Sequence, residues 1–211
     1  MRAQRPRSTL TLLGTLTTAA TLALGTAGPA TAAERPAPVH HTAAAAHGLT
    51  SDLASVTELL AQRLLLADKV AAAKYGTDTP IDDPEREARI LDDVRTRAAG
   101  LGLDPDAMAA VFRDQIEANK LVQRGLYARW DANPGERPTE RPDLAKEVRP
   151  ALDRITTRLL AALDDTERAR TLPSCGPRLV TAAGWSAYTH RLDGLHLKGL
   201  GRALPSVCAA P

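Results

Sequence analysis

Leu59-Leu60-Ala61-Gln62-Arg63-Leu64-Leu65-Leu66-Ala67-Asp68-Lys69-Val70-Ala71-Ala72-Ala73-Lys74 is an apolar run interrupted by a few polar residues. Upstream and within it, Leu53, Val56, Leu60, Leu64, Ala67 and Ala71 recur at intervals of three and four. That period is helical, and it predicts one long helix from about Thr50 to Tyr75. Gly76 and Pro80 then end it. Arg63 and Lys74 lie eleven residues apart within this helix. Eleven residues turn through about 1,100°, within about 20° of three full turns, so both cations share a face roughly 16 Å apart along the axis. By spacing alone the favoured reading is a solvated face, or long stems snorkelling from the core edge.

Outward from this helix, Asp83-Pro84-Glu85-Arg86-Glu87 supplies an N-cap acid, a proline at the first helical position and acids in the first turn. It predicts a second helix through Ile90, Leu91, Val94 and Ala98, closed by Gly100 and Gly102. Asp104-Pro105-Asp106 repeats the signal, and a third helix follows to about Trp130, before Asn133-Pro134-Gly135. This helix carries an amide stripe, Gln115, Asn119 and Gln123, at intervals of four beside Phe112, Ile116 and Val122. A proline-rich connector from Arg137 to Pro142 leads to a fourth helix, about Leu144 to Leu163. At least one more is predicted around Ala182 to Leu200. No stretch alternates with period two for long. The fold class is all-α: a long first helix with several shorter ones packed against it.

The amino-terminal segment has a different composition. Arg2, Arg5 and Arg7 precede an apolar, hydroxyl-rich run to about Leu24, then Gly25, Gly28, Pro29 and small residues with an A-x-A site at Ala30 and Ala32. Residues 1–32 read as a secretory signal cleaved near Ala32, too short and threonine-diluted for a membrane anchor. Residues 33–48, with Pro36, Pro38, His40 and His41, read as a flexible linker, and 49–211 as one domain. The whole chain has 27 basic and 25 acidic residues. The signal takes three arginines and no acid, leaving 24 against 25, net −1. The basic balance therefore belongs to the export signal, and aromatics are only 3%, so neither charge nor stacking surface points to nucleic acid. In an oxidising compartment the two cysteines, Cys175 and Cys208, read as a disulfide. A metal site would need further ligands, and His190 and His196 sit at no familiar spacing from them.

No glycine-rich phosphate loop, H-E-x-x-H or C-x-x-C occurs. Chemistry here would rest on side chains alone, without metal or cofactor. A pocket between helices lined by several cations and a few neutral amides would suit a small dicarboxylate.

Read in order, Gln62-Arg63-Leu64, Ala71-Ala72-Ala73-Lys74-Tyr75 and Pro80-Ile81-Asp82-Asp83-Pro84-Glu85-Arg86-Glu87 resemble the opening of the all-helical, type II chorismate mutases. The segment from Val111 to Gln123 looks like that family's third helix. The late cysteine pair in a C-terminal helical extension resembles the exported, gamma subclass. The resemblance spans roughly Leu49 to Cys208. It implies the rearrangement of chorismate to prephenate, with no cofactor, no metal and no covalent intermediate, in a homodimer. It implies that Lys74 and Gln123 donate to the ether oxygen and that Arg86 lies near the bridge. Arg63 grips a carboxylate, Asn119 makes a small polar contact to one, and Glu87 lies near the substrate hydroxyl, with Asp83 a weaker match there. A second carboxylate is expected on Arg149. The interval from Asp143 is one residue longer than in the family, so Arg141 and Arg154 stand beside it as alternatives. Ile90 occupies a position where some exported relatives carry a polar residue. Two readings remain beside the enzyme: a silent helical binding module of the same descent, and an exported binder of another dicarboxylate.

Overall fold

The computed structural model describes residues 41–208, with the helical backbone alone described for 41–52. The signal, residues 33–40 of the linker and residues 209–211 lie outside the described residues. Among the described residues seven α-helices follow in order: α1 (His41–Lys74), α2 (Pro84–Leu101), α3 (Pro105–Ala132), α4 (Arg149–Asp165), α5 (Glu167–Arg170), α6 (Cys175–Thr189) and α7 (Gly194–Arg202). A 3-10 turn, Pro134–Glu136, and a π turn, Leu144–Val148, lie between α3 and α4.

The caps are where the sequence places them. The Asp83 carboxylate accepts from the Arg86 amide at 3.0 Å, and Glu87 reaches back to the Asp83 amide at 3.4 Å. Gly102 closes α2 in the left-handed region at φ 79°, where a side chain is disfavoured. Asp104 accepts from the amides of Asp106 and Ala107, both at 2.9 Å. Helix α1 is the axis of the fold, packing against α3, α4, α6 and α7. Leu53, Val56, Leu60 and Leu64 are buried along it and share one core with Val94 of α2 and Phe112 and Val122 of α3.

Two boundaries differ from the sequence reading. Helix α1 starts at His41, inside the stretch read as linker and nine residues before Thr50. The run Ala43–Ala46 has the highest helix propensity available and lets the helix extend upstream. The fourth helix begins only at Arg149, after the π turn. Pro150 offers no amide and its ring would crowd the carbonyl four residues back, which the wider turn relieves. The segment Ala182–Leu200, where at least one helix is expected, spans the end of α6 and most of α7. Arg191 takes a left-handed φ of 51°, the Leu192 amide returns to Ala187 O at 3.0 Å, and Asp193 caps α7 by accepting from the His196 amide at 2.9 Å.

Helix α7 lies tightly on α1 and α3 because glycines allow it. A Cβ on Gly199 would stand 2.8 Å from Val122 Cγ2 and 3.0 Å from Leu64 Cδ1, and one on Gly125 would collide with the Leu195 side chain. The extension is closed by the Cys175–Cys208 disulfide, with Cα atoms 5.9 Å apart across 33 residues. A loop of that length contributes roughly 3–4 kcal/mol in the chain-entropy treatment. The pairing also removes the cysteines as metal ligands, and both histidines between them have carboxylate partners.

His196 is the buried polar centre of this packing. Its Nε2 meets Asp68 of α1 at 2.9 Å, its Nδ1 meets Asp193 at 2.7 Å, and Arg129 of α3 donates to the same Asp193 at 3.1 Å. The Asp68 hydrogen bond, with Asp193 beside it, raises the His196 pKa against the opposing effect of burial. The His196 amide and ring together hold Asp193 well below the ordinary carboxylate range. The histidine contribution is complete below about pH 6.5 and is lost as pH rises through the raised value; the aspartate contribution is lost on acidification below about pH 4. Thermal unfolding midpoints should therefore peak between those limits, and His196→Phe should remove the decline on the alkaline side.

Candidate active site

A cavity of about 130 Å³ opens where α1, α2 and α3 meet the π turn and the start of α4. Five cationic side chains line it, Arg63, Lys74, Arg86, Lys120 and Arg149, against two carboxylates, Asp83 and Glu87. The remaining wall is largely apolar, with Val70, Ile81, Ile90, Ile116, Val148 and Leu152 among the lining side chains.

Arg63 is 7% exposed. Its NH1 donates to Thr156 Oγ1 at 3.1 Å and to Leu152 O at 3.3 Å, and its guanidinium carbon stands 5.5 Å from the Phe112 ring centroid. No carboxylate pairs with it among the described residues. Burial without a counter-ion pushes its pKa down to about 10, so the guanidinium is charged at neutral pH yet poorly solvated. Lys74 ends α1, and its Nζ donates to Pro80 O at 2.8 Å. Burial pulls its pKa below that of a free lysine, with Asp83 opposing and Arg86 reinforcing the shift. Arg86 is lowered by burial and then by Arg149, so the two guanidiniums repel across the cavity.

On α3, Gln123 Nε2 donates to Asn119 Oδ1 at 2.7 Å, which orients both amides, and Gln123 Oε1 has no partner among the described residues. The stripe is therefore a pocket wall rather than a solvated face. Glu87 contacts Lys120 at 3.2 Å, and Lys120 also reaches Glu117 at 2.6 Å and Asp82 at 3.4 Å. Burial alone would lower the Lys120 pKa, but Glu117 and Glu87 together raise it. Asp83 caps α2 and Glu87 is paired with Lys120, and although both act on Lys74 at longer range, two carboxylates leave the five cations of the cavity in excess. The cavity calls for an anion.

Every sequence-predicted binding residue lines this cavity: Arg63, Lys74, Arg86, Glu87, Asn119, Gln123 and Arg149. Of the three candidate arginines after the connector, Arg149 lines it. Arg141 instead donates to Tyr75 O at the end of α1, and Arg154 is not among the lining residues. A π turn, Leu144–Val148, runs from Asp143 to Arg149, taking one residue more per hydrogen-bonded turn than an α-helix. Sequence reasoning missed Lys120, Thr79 and Ile81. The first reads as one more surface lysine, and the others belong to the loop between α1 and α2, whose path no periodicity reveals. The loop is tied down by Asp82, which accepts from Arg124 through both carboxylate oxygens at 2.7 Å.

A family model described as chorismate mutase type II matches residues 54–124, which run from α1 through most of α3. The secreted chorismate mutase of Mycobacterium tuberculosis is 34% identical over 161 residues, covering 76% of this chain and 80% of that protein. The secreted chorismate mutase of Mycolicibacterium smegmatis is 32% identical over 158 residues, covering 75% of this chain and 87% of that one. The crystal structure of the chorismate mutase from Burkholderia phymatum superposes with a TM-score of 0.74 at 32% identity, covering 77% of this chain and 99% of that one. A likeness carried in both sequence and fold, and running well beyond the first three helices, shows that this chain belongs to the type II, all-helical chorismate mutases.

Proposed function

We propose that the cavity binds chorismate and converts it to prephenate, with Lys74 and Gln123 as donors to the ether oxygen. The reaction is an intramolecular rearrangement: a C–O bond breaks as a C–C bond forms, and no atom enters or leaves. It needs no nucleophile and no proton transfer. The site has two tasks, to hold the substrate in its reactive conformer and to stabilise negative charge growing on the ether oxygen. Arg63 holds one carboxylate, Arg149 the other, Arg86 the bridge side, Asn119 a carboxylate oxygen and Glu87 the ring hydroxyl.

The observation that carries this reading is the convergence of unneutralised cations on one largely apolar cavity. Desolvated donors act more strongly on a developing charge than the same groups in water. Gln123 donates without first taking a proton from solvent, unlike a carboxyl group in its place. The arrangement is drawn from a single chain, because the connector and π turn bring Arg149 to the same cavity as α1, α2 and α3. A binding module would not call for two aligned donors and four cations at one site. Export is supported by the secreted relatives and by the signal layout of residues 1–32. No helix among the described residues is long and apolar enough to cross a membrane. A homodimer is the assembly the family resemblance implies.

Purified chain without added metal should remove the ultraviolet absorbance of chorismate; a flat trace from folded protein would sink the assignment. Lys74→Ala or Gln123→Ala should lower kcat by roughly 100-fold or more, as for loss of an oxyanion-type donor. Near-normal turnover in either variant would misassign the donors. The kcat profile should be nearly level from mildly acid to mildly alkaline pH, because Gln123 does not titrate. Any alkaline fall belongs to Lys74, whose lowered pKa brings loss of charge to a lower pH than in a free lysine. Mass spectrometry of the exported chain should place its first residue near Ala33, and sedimentation should give twice the chain mass.

A further inference from the structure

Gln115 opens the amide stripe of α3, one turn before Asn119 and two before Gln123. It is 3% exposed and lines the cavity, yet its Nε2 is buried with no hydrogen-bond partner among the described residues. A buried amide left unmatched is costly, and an apolar residue would serve packing better. Val122, two turns on and on the same face of α3, is apolar and fully buried, so this face accepts such a residue.

The register of α1 and α3 says what the amide faces. Arg63 lies over Phe112, and Tyr75 packs against Tyr127 with ring centroids 5.1 Å apart, so the two helices run in the same direction. The eleven-residue interval from Arg63 to Lys74 is matched by the interval from Phe112 to Gln123. Gln115 therefore belongs to the Arg63 end of the cavity, away from the donors at Lys74 and Gln123. Arg63 uses NH1 on Thr156 and Leu152, and no acid among the described residues pairs with it. An unneutralised guanidinium and an unmatched amide N–H at one end of a cavity are complementary to the two oxygens of one carboxylate.

We propose that Gln115 is a further substrate-binding residue, whose amide completes with Arg63 the seat for one substrate carboxylate. This rests on the reading of the cavity as a chorismate site. The contact is to a group whose charge does not change in the reaction, so it acts on binding and leaves the chemical step alone.

The test is steady-state turnover of chorismate by the wild type, Gln115→Met and Gln115→Glu, together with thermal unfolding. Gln115→Met should raise KM about tenfold or more, with kcat within about threefold. Its unfolding midpoint should not fall, because the variant removes an unmatched polar group. Gln115→Glu puts a carboxylate beside Arg63 in competition with the substrate. Its KM should be highest at alkaline pH and decline toward that of Gln115→Met as the acid is protonated, while the wild-type KM changes little. An unchanged KM in Gln115→Met overturns the inference. So does a raised KM accompanied by a lowered midpoint, which would mark a packing role, and so does a Gln115→Glu KM that ignores pH. A wild-type chain inert toward chorismate removes the assigned reaction as well, whereas an active wild type with an indifferent Gln115→Met removes this inference alone.

Discussion

Arg63 carries a positive charge into the leucine ladder of α1, and much of the structure answers the problem this creates. A cation in such a place is disfavoured by desolvation unless something supports it. Here the support is neutral: a backbone carbonyl, a threonine hydroxyl and the face of Phe112. None of these cancels the charge. The guanidinium is held in position and kept short of an anion, which is the state a carboxylate-binding group needs before its ligand arrives.

The supports come from α3 and α4, so the site depends on their register against α1. Helix α4 supplies Leu152 and Thr156 to Arg63, and its first residue is Arg149. The π turn before it accommodates Pro150 and sets Arg149 at the cavity. On the other flank, α7 approaches α1 and α3 closely through Gly199 and Gly125 and is fastened by His196 between two aspartates. The C-terminal extension thus braces the two helices that carry Arg63, Lys74, Asn119 and Gln123. Asp114 on α3 joins this brace, accepting from Arg202 at 2.6 Å and from the Ser206 amide at 3.0 Å.

Reading the chain for local chemistry recovers some features fully and others poorly. The Asp83-Pro84 and Asp104-Pro105 starts are nearly complete instructions, because a cap involves residues within a few positions of one another. The division between α6 and α7 is not legible in the same way. It rests on Arg191, a residue with no preference for a left-handed backbone, at the point where the Leu192 amide turns back to Ala187 O. The extension of α1 back to His41 was obscured by Pro36, Pro38 and the histidine pair, which weigh toward a linker. Lys120 shows the same limit in the site. Only the folded chain sets its ammonium among Glu117, Glu87 and Asp82, and so ties Glu87 into a direct ion pair with Lys120.

By itself the sequence determined the helical class, the caps, the cysteine pair and the residues able to meet a dicarboxylate. All of these follow from composition, from the 3.6-residue period or from ordered spacing along one helix. The tertiary structure decided whether Arg63 and Lys74 face solvent or a cavity, for spacing within one helix says which residues share a face but not what covers it. It also decided which of three arginines reaches the pocket and which amide is left without a partner. Those outcomes depend on distances between α1, α3 and α4, which packing sets and no local interval encodes.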